Sequence, residues 1–168
     1  MPATTLHWEN SLSNAMAAKA RAKPRRRGFV RVMTPERTLK LIEKLLEPLN
    51  QKTTERTLQR YVKAELVPPS ETKSAGRGRG KITNYDDDTP AQFFASWMLL
   101  NGAAKYKKEF ASAARKLALI AENDGAGGAA TFTQNGTPTA EELVAIFWMV
   151  THEKARETVA KIVEEERQ

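Results

Sequence analysis

Two groups of side chains in this chain have the chemistry to recognise a nucleic acid. The first is Thr54, Glu55, Arg56, Gln59, Arg60, Tyr61 and Lys63. An arginine fork can pair with two acceptors of guanine, and a glutamine amide with adenine, so Glu55, Arg56, Gln59 and Arg60 are the candidate base readers. Lys63 suits phosphate. Tyr61 fits two roles equally, a contact to the nucleic-acid backbone or a core aromatic. The second group is Arg77, Arg79 and Lys81, interleaved with Gly76, Gly78 and Gly80. Glycines let a backbone approach closely, so these cations would meet phosphates or enter a minor groove. A third cluster, Lys19 to Arg31, holds seven basic residues and no acid, with Arg25, Arg26 and Arg27 at its centre. It would add salt-sensitive, sequence-independent affinity, or act only as a solvated tail.

Other chemistry finds little support. The chain has no Cys and only His7 and His152. That excludes disulfides and cysteine-based metal or redox sites. His152, between Thr151 and Glu153, reads as an exposed or capped helix residue. Asp86-Asp87-Asp88 reads as the acidic start of a helix rather than a cation site. The glycine-rich segments lack the Lys-Ser/Thr ending of a phosphate loop. No nucleophile, carboxylate pair or metal set is visible, so the expectation is a non-enzyme without cofactor. Trp97, Phe147, Trp148 and Met149 could line a pocket for a small apolar effector, although core or dimer packing is the stronger reading.

These residues need elements to position them. Thr34-Pro35-Glu36 has the composition of a helix start, and Leu39, Ile42, Leu45, Leu46 and Leu49 give one apolar face. Pro48 predicts an end near Leu46 or Glu47. Asn50-Gln51-Lys52 is then a turn, and Thr53 or Thr54 caps a second helix reaching Glu65 or Leu66. Its buried stripe is Leu58, Tyr61, Val62 and Leu66, which leaves the charged residues mainly on other faces. Pro68-Pro69 forbids continuation. Residues 74–81 form a hairpin tip, and Ile82 to Tyr85 the return strand. Helical pattern runs from Pro90 to Asn123, with a break at Asn101-Gly102. Asp124 to Pro138 reads as a loop, and Pro138 to Glu166 as the last helix, capped by Thr137 or Thr139.

Thr54 to Tyr85 resembles the MerR-type winged helix-turn-helix of bacterial regulators. The run TERTLQRYVKAELVPP is similar to that family's recognition helix and double proline, and Tyr85-Asp86 to the end of its wing. Departures are Gln59 at a usual arginine, Glu65 at a usual glycine, and Thr83 at a wing arginine. The resemblance implies a helix 53–66 in the major groove, a wing 74–85 on phosphate or minor groove, and a place at the bacterial nucleoid.

The whole chain is consistent with that division. Its 168 residues carry a net charge of +7, split between +11 in residues 1–85 and −4 in residues 86–168. The expected fold is mainly α, a winged helix-turn-helix with a small two-stranded wing followed by C-terminal helices. The expected regions are a disordered basic arm at 1–33, the DNA-binding part at 34–100 and a helical dimerisation or effector part at 101–168. Ser13-Asn14-Ala15 before Met16 also resembles a cloning scar. No run suits a membrane span or a secretory leader, which predicts a soluble cytoplasmic protein. The leading function is sequence-specific binding of double-stranded DNA by a homodimeric transcriptional regulator. The alternatives are an architectural or mobile-element DNA-binding protein (excisionase, partition or replication accessory), and an interaction adaptor that does not bind DNA.

Overall fold

The computed structural model describes residues 32–123, 130–133 and 136–168. Strand β1 (Val32–Met33) leads into helix α1 (Pro35–Leu46). Thr34 keeps an extended backbone and its hydroxyl accepts the Arg37 N–H at 3.3 Å, while Pro35 occupies a position that needs no donor. Leu41, Ile42, Leu45 and Leu46 bury one face of α1. Past Leu46 the chain tightens into a single 3-10 turn, Glu47–Leu49, because Pro48 supplies no N–H to continue the helix. Asn50 then takes the left-handed conformation at φ 56°, and the Gln51 N–H closes back on the Leu46 carbonyl at 3.3 Å.

Helix α2 (Glu55–Lys63) begins at Thr54, whose hydroxyl accepts the Thr57 N–H at 3.3 Å. It ends in a Schellman turn. The Leu66 N–H bonds the Tyr61 carbonyl at 3.0 Å, the Glu65 N–H bonds that of Val62 at 3.1 Å, and Glu65 is left-handed at φ 57°. Leu66, Val67 and Pro68 follow it into the interior. Strands β2 (Glu71–Ser74) and β3 (Lys81–Asp86) then pair antiparallel, from Glu71 opposite Asn84 to Ser74 opposite Lys81. Gly76, Gly78 and Gly80 at the tip all have positive φ, which only glycine adopts at little cost.

The sheet differs from the expected two-stranded wing. It has three strands in the order β1-β3-β2, with Val32 opposite Asp86 and Met33 opposite Tyr85. Val32 and Met33 fell inside the expected arm 1–33. Two residues are too short for any periodic signal, and their pairing is set by the open edge that β3 offers. The rest of that arm lies outside the described residues.

The break at Asn101-Gly102 separates α3 (Thr89–Asn101) from α4 (Lys108–Asn123). A side chain at Gly102 would run into the Met98 carbonyl, so the turn requires glycine there. The described part of the expected 124–138 loop contains a short helix, α5 (Ala130–Thr133), before α6 (Ala140–Glu165). Thr139 caps α6 in a reciprocal box with Glu142. One buried cluster runs from Ile42 and Leu58 through Phe93 and Leu99 to Ala114, Trp148 and Met149. Helix α6 therefore packs into the same core as α1 and α2. The architecture is mainly α with a small antiparallel sheet, and no helix among the described residues is long and apolar enough to cross a membrane.

Candidate nucleic-acid interface

Burial divides α2 into two faces. Leu58 and Tyr61 point into the core, while Glu55, Arg56, Gln59, Arg60 and Lys63 are exposed. The amide of Gln59 reaches the Glu55 carboxylate at 3.4 Å. Thr54 is committed to its cap, and its hydroxyl also shares a hydrogen bond with Thr57. Tyr61 is a core residue rather than an open contact. Its ring stacks on Phe93 at 4.3 Å between centroids, and burial pushes its hydroxyl up to about 12 despite a hydrogen bond with Asn101. A tyrosine three residues after Leu58 falls on the apolar stripe, and that stripe decides its role.

Arg77, Arg79 and Lys81 are exposed on and beside the hairpin tip. The tip is closed by the Ala75 N–H to Gly80 carbonyl bond at 3.0 Å and the Arg79 N–H to Gly76 carbonyl bond at 3.2 Å. Arg25, Arg26 and Arg27 lie outside the described residues.

Ion pairing separates the basic residues more sharply than exposure does. Arg37, Lys40 and Lys44 of α1 all converge on Glu166, just past α6. Lys116 pairs with Glu65, and Arg156 with Asp88 at 3.4 Å. Arg56, Arg60, Lys63, Arg77, Arg79 and Lys81 have no such carboxylate partner among the described residues. Among the described residues, the exposed cations of α2 and of the hairpin tip are thus left without a neutralising carboxylate. Lys73 in β2 is different, held by Glu71 at 3.4 Å.

Several expectations about other residues change. His152 is not an exposed helix residue. It is 1% exposed, packs on Trp148 and presents Nε2 to Asp88 at 2.9 Å and Nδ1 to Glu122 at 3.4 Å. Burial alone would push its pKa down, but the two carboxylates outweigh burial and hold it above the ordinary histidine value. Asp88 opens α3 without capping it through its side chain, because its carboxylate serves His152 and Gln92. Trp97, Phe147, Trp148 and Met149 are divided among different surroundings in the described residues. Trp148 and Met149 are core residues, Trp97 faces a cleft beside α2, and Phe147 faces a different cavity with Leu143 and Met98.

Lys52, Lys107 and Lys108, which are not among the candidate residues of the sequence, gather with Arg60 around the cleft beside α2. The available signal was the run Lys105-Tyr106-Lys107-Lys108, an aromatic among cations at a helix break. No family model matches the chain, and no curated protein or solved structure matches it.

Proposed function

We propose that this chain is a sequence-specific double-stranded DNA-binding protein, a winged helix-turn-helix transcriptional regulator similar to the MerR type. The observation that carries this reading is the set of cations on α2 and the hairpin tip that have no carboxylate partner among the described residues, against the paired Arg37, Lys40 and Lys44 of α1 and Lys116 of α4. A surface that keeps its positive charge uncompensated attracts a polyanion, and binding releases the counterions condensed on it. The order of elements supports the same reading: α1, a tight turn, an exposed basic helix, then a basic glycine hairpin. Helix α2 would enter the major groove with Arg56, Gln59 and Arg60 toward base edges, and Arg77, Arg79 and Lys81 would hold phosphate or minor groove. Two copies would pair through α6, where Leu143, Phe147 and Val150 form an exposed apolar stripe at helical spacing.

Selection of bound duplexes from a random library, followed by affinity against salt, tests the reading. The expected result is an enriched inverted repeat. Arg56→Ala or Arg60→Ala relaxes base preference at single positions by about 1–3 kcal/mol. Arg77→Ala and Arg79→Ala weaken binding to all sequences and flatten the salt slope by about one each. Salt-sensitive binding without enrichment would replace this reading with the architectural one. Absence of binding at low salt would leave the adaptor.

A further inference from the structure

We infer that the cleft between α2 and the α3–α4 turn is a binding site for a nucleotide unit, an aromatic base joined to a phosphate. The cleft encloses about 540 Å³, within the range of small-molecule sites. Three aromatic rings line it: Tyr61, Trp97 and Tyr106. Two of them are already fixed, Tyr61 by its stack on Phe93 and Tyr106 by its stack on Phe110 at 5.2 Å between centroids. Trp97 is half-buried and has no ring partner among the described residues. It offers the surface on which a base can stack, an interaction that tolerates any base because each has a π-face.

The phosphate would be met by four cations on the same cleft, Lys52, Arg60, Lys107 and Lys108. None of them has an ion-pair partner among the described residues, and Glu109 is the one carboxylate on the lining. Lys107 and Lys108 lie where α4 begins, so the positive end of a 16-residue helix adds to their charge. Rings and unpaired cations on one cleft match the two halves of a nucleotide, and neither half alone accounts for both. The cleft also shares Thr57 and Arg60 with α2, which places any occupant against the helix proposed to read DNA.

The test needs no duplex, so its failure is separable from failure of the DNA-binding reading. Trp97 fluorescence is followed in a Trp8→Phe variant, where the other tryptophan, Trp148, is buried. The probes are AMP, adenosine, ribose 5-phosphate and a short oligothymidylate. Saturable quenching is expected with AMP or with the oligonucleotide, at least about tenfold tighter than with adenosine or ribose 5-phosphate. Quenching by AMP but not by the oligonucleotide assigns a free nucleotide, and the reverse assigns an unpaired strand. Lys107→Glu with Lys108→Glu, both exposed positions, should weaken binding at least about tenfold, while Lys154→Glu with Lys161→Glu on α6 should not. No saturation with either nucleotide probe overturns the inference. So does ribose 5-phosphate that competes as well as AMP, or binding that survives the charge reversal at Lys107 and Lys108.

Discussion

Glu65 holds a backbone conformation that strains most side chains. Its φ of 57° belongs to the left-handed region, where a Cβ crowds the following carbonyl. The Schellman turn that ends α2 requires that conformation at this position. Glycine is the usual occupant, and here a glutamate is held in place by several contacts. Its carboxylate pairs with Lys116, and its carbonyl accepts Arg115 Nη1 at 3.2 Å and the Ser112 hydroxyl at 3.5 Å. The carbonyl contacts belong to the backbone, so glycine would keep them. Glu65→Gly relieves the strain and loses only an exposed ion pair, which is worth little in water. The expected result is a rise in Tm of about 2–4 °C, measured by thermal unfolding at neutral pH. A fall in Tm would mean that the lost Lys116 pair and the extra chain entropy of glycine together outweigh the relieved strain.

At the scale of elements, the pairing of α1 with the end of α6 decides which cations are available. Arg37, Lys40 and Lys44 lie on one side of α1, and Glu166 gathers all three. Their hydrogen bonds hold the Glu166 carboxyl down at about 2, so it stays ionised across the working pH range. On the DNA-binding reading, Glu166 masks a set of phosphate contacts that α1 could otherwise make. Glu166→Gln removes the charge and keeps the shape. It should raise affinity for non-specific duplex and steepen the salt slope by up to about three, as read by fluorescence anisotropy across a salt series. An unchanged slope would place the α1 face away from the bound duplex. Apart from the short α5, which lies in a stretch read as a loop, the helices were legible in the sequence because local chemistry sets them: Thr34, Thr54 and Thr139 cap where hydroxyls precede apolar periods, and Pro48 and Gly102 stop what they should stop. Strand β1 was not legible, because two residues acquire their structure only from β3. The candidate site divided the same way. The exposed faces of α2 and the hairpin tip follow from periodicity and glycine spacing. Tyr61 was ambiguous because its position satisfies both readings, and Lys52, Lys107 and Lys108 meet only after α3 has turned back toward α2.

Across the whole molecule, a chain of polar contacts joins α6 to the end of α2. His152 meets Asp88, Asp88 accepts the Gln92 amide at 2.7 Å, Gln92 accepts Arg115 Nε at 2.8 Å, and Arg115 reaches the Glu65 carbonyl. The periodic pattern around His152 gave no hint of this, since its partners Asp88 and Glu122 come from α3 and α4. Both ring nitrogens face carboxylates, so the protonated ring can donate to each, whereas a neutral ring would turn a lone pair toward one of them. The folded pKa of His152 is raised above 6.5, so its contribution is complete below pH 6.5 and is lost as pH rises through the folded value. For Asp88, burial would raise the pKa, but His152, Gln92 and Arg156 together hold it below 3.8. Its contribution is therefore complete above pH 3.8 and is lost as pH falls through the folded value. The pair stabilises the fold most between those limits. Replacing His152 by Gln should cost on the order of 3 kcal/mol within that window, near the low end for a broken buried pair because Asp88 keeps Gln92 and Arg156. The difference between wild type and variant should shrink as pH is raised past neutrality. Urea unfolding of both proteins across the pH range measures it directly, and a difference that does not vary with pH would mean that His152 titrates alike in the folded and unfolded states.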